Sequence, residues 1–306
     1  MQAVSSPVST NPNRVTLWAN LISVYILWGS TYMFIHFMTE RMPPLYMISA
    51  RYLVSGSILY GYARLTGTPR PTLAEWKSSA IIGVLLLSIA NGCLSMGIQY
   101  IPSSMAALLG GLLPVFLLSL NWVSFGRKRP SNMALAGLAI GLVGIFLLVK
   151  PDKMQTTSGI DAKLIGFALV ALGNFSWAVG TLLTPRLSLP SATISSGIQM
   201  ILGGLVLLPV SLALEPVTLF SIFHAPPKAI YSMIYLVIFG SIIGFSSYSW
   251  LARNASPQLL STYAFVNPVV AMLLGTTFAG EVFSSQSFLG AAIALVGVVL
   301  ITLGRK

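Results

Sequence analysis

The stretch LLGGLLPVFLL, Leu108 to Leu118, is apolar throughout, yet its centre holds two glycines and a proline. These residues hold a helix together least well: Pro114 has no N–H to give the carbonyl of Gly110, and glycine is among the poorest helix formers. The second half of the chain repeats the pattern. AFVNPVV, Ala264 to Val270, faces GGLLPVF at an offset of 154, which pairs Pro268 with Pro114 and Gly280 with Gly126. An offset of 153 pairs Gly144 with Gly297, one of 149 pairs Trp28 with Trp177, and one of 147 pairs Pro43 and Gly56 with Pro190 and Gly203. The offsets drift slowly, so the halves align along their length and the chain reads as an internal duplication.

Composition sets the solvent. Of the 306 residues 55% are hydrophobic and 8% charged, against about 25% charged in soluble domains. This is the composition of an integral membrane protein. A bilayer-crossing helix needs about 20 mostly apolar residues. Ten such runs are present, at roughly 17 to 37, 44 to 63, 78 to 98, 103 to 124, 131 to 149, 163 to 184, 192 to 213, 229 to 251, 258 to 279 and 287 to 304. A duplicated unit of five spans inserts its second copy upside down. The predicted fold is therefore all-α and integral to the membrane, with ten transmembrane helices built from two inverted five-helix repeats. Residues 1-16 are expected to form a disordered cytoplasmic tail, 17-150 the first repeat, 151-162 an extracytoplasmic linker and 163-306 the second repeat. The polar N-terminus lacks an apolar h-region and does not read as a cleaved signal peptide.

The net charge of +11 is explained by its placement. With the N-terminus inside, eleven Lys and Arg fall on the cytoplasmic face and five on the other, and Arg51 alone lies within a run. That is the positive-inside bias, with both termini cytoplasmic, and it suits contact with anionic headgroups. Nucleic acid has no support. The single Cys93 offers no disulfide or cysteine metal site.

Polar and aromatic residues at helical spacing mark what the spans present to one another. Ser88, Asn91, Ser95 and Gln99 share one face of the third run, lining a cavity or bonding a neighbouring helix. Tyr25, Trp28 and Tyr32 form a stripe on the first run, Asn174, Trp177 and Thr181 on the sixth, and Ser241, Phe245 and Tyr248 on the eighth. Tryptophan near run ends marks the membrane interface, but Trp28 and Trp177 lie well inside, where the ring edge needs a partner or a wet cavity. Arg51 reads as a structural cation bonding carbonyls, with a gating partner as the alternative.

No aspartate or glutamate falls inside a run except Glu281 at an end, so no obvious proton-coupling carboxylate is present. With one basic residue in the spans, phosphorylated substrates are not expected. Two histidines and one cysteine give no catalytic or metal set. No enzyme activity, cofactor or metal is expected.

WGSTYMF at 28 to 34, PLYMISARYLVSG at 44 to 56, AALLGGLLPVFLLSL at 106 to 120 and SPQLLSTYAFVNPVVAMLLGTTFAGE at 256 to 281 resemble the drug/metabolite transporter superfamily in its ten-helix EamA-type branch. Within that branch the chain is similar to the YddG-type exporters of aromatic and other amino acids. A Gly-Glu pair often follows the fourth and ninth helices in the family. It is present as Gly280-Glu281 and replaced by Gly126-Arg127 in the first half. The resemblance implies a multi-pass protein of the bacterial inner (plasma) membrane with a central cavity between the repeats, exporting small metabolites.

The expected function is amino-acid export by alternating access, without an intramembrane carboxylate and so by facilitated diffusion. Substrate contacts are expected from Trp28, Tyr32, Asn91, Ser95, Trp177, Tyr248, Tyr263 and Asn267, and bending from Gly110, Gly111, Pro114 and Pro268. The expected partners are a small-molecule substrate and the lipid bilayer, with the chain a monomer or weak homodimer. A drug or hydrophobic-cation exporter of the same fold is one alternative. A non-transporting membrane scaffold, associating through Gly137, Gly141 and Gly144, is another.

Overall fold

The computed structural model describes residues 13–39, 42–97, 99–101, 109–125, 129–149, 160–215, 227–278 and 284–304. The tail before residue 13, most of the 151-162 linker, and both the Gly126-Arg127 and Gly280-Glu281 pairs lie outside them. Every described secondary-structure element is helical. We number them α1 (Arg14–Thr39), α2 (Pro44–Leu65), α3 (Leu73–Gly97), α4 (Leu113–Val123), α5 (Asn132–Val149), α6 (Ile160–Leu183), α7 (Ala192–Leu214), α8 (Pro227–Asn254), α9 (Pro257–Phe278) and α10 (Ser285–Leu303). Six of the described helices are long and apolar enough to cross a membrane, and the described parts of α4 and α5 are shorter apolar helices. Large apolar side chains such as Ile26, Leu164 and Val299 point outward, as a lipid solvent requires.

Local chemistry sets the helix ends. Pro44 opens α2, where its missing N–H costs nothing. The Glu215 carboxylate, just past α7, accepts the Leu45 and Tyr46 N–H groups at 2.8 and 2.9 Å. It thereby caps α2 from the opposite half and places a negative charge at a helix N-terminus. At the other end Gly67 takes a left-handed φ of 83°, and Thr68 N–H reaches back to Ala63 O at 3.0 Å. Thr72 and Glu75 form a reciprocal capping box at the start of α3.

Packing follows an internal two-fold. α5 packs on α10 and α2 on α7, each helix against its own equivalent. The remaining major contacts come in exchanged pairs, α1 on α9 with α6 on α4, and α3 on α6 with α8 on α1. The α5–α10 seam shows the inversion atom by atom. A Cβ on Gly137 would lie 2.8 Å from Gly297 O, and one on Gly290 would lie 2.7 Å from Gly144 O. Gly137 corresponds to Gly290 and Gly144 to Gly297, so these are one contact made twice between antiparallel equivalents. Glycine lets the backbones touch, and dispersion drives such contacts in lipid. The small-residue face at Gly137, Gly141 and Gly144 is thus consumed inside the chain, joining its halves.

The helices loosen at four places, in the third and fourth helix of each repeat. In α3 the bonding shifts over Val84–Ile89 so that Ala90 N–H donates to Leu85 O, five residues back. In α8 it shifts over Leu236–Ile243, where Gly244 N–H donates to Phe239 O. Ahead of Pro114, Gly111 and Leu112 form a turn that interrupts the helix, with Leu112 N–H donating to Leu109 O at 2.9 Å. Ahead of Pro268, a turn at Thr262 separates Pro257–Ser261 from Tyr263–Phe278.

A methyl group at Gly144 would collide with the backbone nitrogen of Ala294, whereas one at Gly61 meets nothing within 4 Å. Gly144→Ala is expected to cost about 1–3 kcal/mol and lower the thermal midpoint of the detergent-solubilised protein. Gly61→Ala is expected to hold or raise it, since alanine is the better helix former by about 1 kcal/mol.

Candidate functional site

Four aromatic rings meet where the halves meet. Trp28 of α1 stacks on Tyr248 of α8 with centroids 5.1 Å apart and meets Trp177 of α6 edge-on at 5.7 Å. Tyr263 of α9 stands edge-on to Trp28 at 5.3 Å and to Tyr248 at 5.7 Å. The two tryptophans, equivalent in sequence, thus touch across the internal axis. Such contacts contribute about 0.5–1.5 kcal/mol per pair beyond the area they bury.

Tyr248 is fully buried and its hydroxyl is committed. Trp177 Nε1–H donates to Tyr248 OH at 2.6 Å, and Thr181 Oγ1 lies 2.5 Å from the same oxygen while donating to Trp177 O at 2.7 Å. The threonine proton is spent on that carbonyl, so Tyr248 donates to Thr181. The circuit from indole to phenol to hydroxyl to the tryptophan's own carbonyl ties α8 to α6 without an ionised group.

The other expected contacts serve mainly to hold backbone. With its amide oriented to satisfy both ends, Asn267 donates to Tyr25 O at 3.2 Å and Tyr263 O at 3.3 Å. Asn91 donates to Leu86 O at 2.9 Å within α3. Ser95 is buried one turn on, and among the described residues neither it nor Asn91 hydrogen-bonds the rings. Ser88 donates to Gly203 O of α7 at 2.9 Å. Arg51 Nε–H bonds the Ser241 hydroxyl at 2.6 Å rather than a carbonyl. The Tyr32 side chain lies outside the described residues.

Each loosened stretch receives a side chain from α1 or α6. Trp28 Nε1–H donates to Gly240 O of α8 at 3.0 Å, and Ser176 donates to Leu85 O of α3 at 2.8 Å. Asn174 donates to Leu109 O beside the Gly110-Gly111 interruption at 2.8 Å. Tyr25 bonds Thr262 Oγ1, at the α9 turn, at 2.5 Å. Tyr25 and Asn174 occupy equivalent positions, 149 residues apart, and each clamps the fourth helix of the other repeat ahead of its proline.

A cavity of about 330 Å³ opens next to this centre, lined by the C-terminal ends of α4, α6 and α8 and the start of α9. Thr181 is shared between its wall and the Tyr248 circuit. The cavity brings Asn121, Arg186 and Arg253 together. From the sequence alone Arg186 and Arg253 read as topology markers, because a basic residue at the end of an apolar run ordinarily marks the cytoplasmic interface.

Tyr248→Phe leaves the buried Trp177 N–H without an acceptor, at an expected cost of about 1–3 kcal/mol. In a Trp177→Phe background the same change is expected to cost less, and thermal melts of the four proteins in a double-mutant cycle measure the coupling.

Relatives carry this architecture over nearly their whole length. The inner membrane transporter YedA of Escherichia coli K12 is 36% identical over 293 residues, 94% of this chain and 91% of its own. A protein of Streptantibioticus cattleyicolor named as a probable terminal-alkyne amino-acid exporter is 27% identical over 295 residues, 95% of each chain. A solved crystal structure superposes with a TM-score of 0.78 at 16% identity, covering 96% of this chain and all of that one. The likeness in fold is therefore retained where sequence has diverged. The EamA-like transporter family matches residues 16–150 and 164–303, one match per half, and the chain belongs to that family of membrane transporters.

Proposed function

We propose that the protein exports amino acids, aromatic and other apolar or neutral ones, by alternating access across the bacterial inner membrane. The observation that carries this reading is the aromatic quartet of Trp28, Trp177, Tyr248 and Tyr263, drawn from both halves onto the internal axis. In the inverted-repeat logic the cargo site lies between the halves near mid-membrane. Large flat rings with few free polar groups suit an apolar side chain. The cavity that reaches Thr181 gives access from the face at which α1 begins, and the distribution of Lys and Arg supports placing that face in the cytoplasm. The name of the Streptantibioticus relative supports an amino-acid cargo.

Transport is proposed to run down the cargo gradient, with no enzymatic step. The two acids with described side chains serve structure, Glu75 in the capping box of α3 and Glu215 at the start of α2. The glycine seam is used between α5 and α10, which favours a carrier working as a monomer or weak homodimer. Gly110, Gly111, Pro114 and Pro268 are proposed to supply the bend as the cavity changes sides.

Purified protein in proteoliposomes is expected to catalyse counterflow of threonine, methionine, leucine or phenylalanine, and to do so without an imposed pH gradient. Trp28→Ala is expected to reduce that flux at least ~10-fold, the order of one lost aromatic contact with its packing. Flux at the level of empty vesicles for every amino acid overturns the reading.

A further inference from the structure

The cavity beside the aromatic quartet holds polar groups that the fold itself does not use. Arg253, the next-to-last residue of α8, donates Nη1–H to Pro190 O at 2.6 Å, while its Nε and Nη2 are buried without a partner. In a guanidinium the Nε–H and Nη2–H bonds point the same way and form the fork that grips a carboxylate through two parallel hydrogen bonds. Here that fork is free, and the outer nitrogen is anchored so as to hold the plane in place. Asn121 of α4, on the same cavity, is only 6% exposed, and its Oδ1 also lacks a partner.

The surrounding charge favours an anion. Arg186 lines the same cavity, held by the Leu182 carbonyl and by the face of Phe125 at 4.2 Å. Among the described residues no aspartate or glutamate lines it. A buried cation without a counter-ion is costly, and a bound carboxylate supplies the missing charge. Along α8, Ser246 and Ser249 precede Arg253 at i−7 and i−4, and their hydroxyls are buried without partners too. Ser246, Ser249 and Arg253 thus share one face of α8.

We infer that Arg253, with Asn121 beside it, docks the α-carboxylate of the cargo in the cavity on the α1-start face, before the side chain reaches the aromatic rings. The guanidinium fork takes the two carboxylate oxygens. The Asn121 oxygen is an acceptor and cannot bond carboxylate, so it is assigned to the cargo's ammonium group. The fork is sealed in this conformation, so docking accompanies a wider opening of the same cavity. The inference rests on the amino-acid reading of the function.

Counterflow of a labelled amino acid in proteoliposomes, competed by the unlabelled free acid or by its methyl ester, tests it. In the unsubstituted protein the free acid is expected to compete at least ~10-fold better than the ester, the order of one charge-assisted bidentate contact. Arg253→Gln is expected to raise KM for the acid by a similar factor and to abolish the preference. Arg253→Lys, which keeps the charge and loses the fork, is expected to retain only part of it. Melting temperatures identify any variant that has merely lost its fold. Equal competition by acid and ester in the unsubstituted protein overturns the site without any variant, and is the result expected if lipid phosphate occupies the fork. A full preference persisting in Arg253→Gln also overturns it. No flux of any amino acid overturns the functional reading, and this site with it.

Discussion

Backbone amides that leave the regular helix in a bilayer have no water to turn to. Each N–H or carbonyl left unpaired in hydrocarbon costs several kcal/mol. This chain loosens its backbone in α3, α4, α8 and α9, and the rest of the architecture answers that exposure. α1 supplies Trp28 to α8 and Tyr25 to α9, while α6 supplies Ser176 to α3 and Asn174 to α4. The first helix of each repeat thus serves as a polar strut for the third and fourth helices of the other. Side-chain ties therefore group α1 with α8 and α9, and α6 with α3 and α4, across the boundary between the repeats. Motion of one group against the other keeps these bonds intact and concentrates change where the groups meet, at the Trp28–Trp177 contact and the Trp177–Tyr248–Thr181 circuit.

Much of this was legible in the sequence, for physical reasons. Proline and glycine have fixed backbone consequences, so Pro114 and Pro268 at matching offsets exposed the duplication before any helix was placed. Spacings of three and four residues put Trp28, Trp177 and Tyr248 on inward faces. The shifted bonding of α3 and α8 was not legible, because VLLLSI and LVIFGSII read as ordinary apolar helix; only the register of the hydrogen bonds distinguishes them. Nor was the use of Asn91, Asn174 and Asn267. A polar side chain at helical spacing announces that it needs a partner, and the carbonyl it finds depends on where another helix loosens.

Arg253 shows the same limit from the other side. At the end of an apolar run it has the address of a topology marker, and its charge does count as one. Its free fork becomes visible only once Pro190 O is seen to hold Nη1 and Asn121 is brought in from a helix more than a hundred residues away.

The fold is symmetric and its chemistry is not. At the offset of 154 that pairs Pro114 with Pro268, Asn121 corresponds to Gly275. The unpartnered buried polar atoms, on Ser79, Asn121, Ser196, Gln199, Ser246, Ser249 and Arg253, all lie in the helix halves nearer the face where α1 begins. At about 1–3 kcal/mol for each unmet group, they disfavour a state in which that half is dry. Opening of that face would admit water to these groups, and opening of the other would leave them unmet. For a carrier that works without an energy source, the thermodynamic cycle must close. Tighter binding on one face then requires an equal and opposite difference between the loaded and empty conformational equilibria. In the proposed carrier the polar groups on the α1-start face would bias the empty state toward opening there, and a cargo carboxylate held by Arg253 would add to that bias. Crossing would then require the aromatic quartet to recover, through contact with the cargo side chain, what release from the arginine gives up.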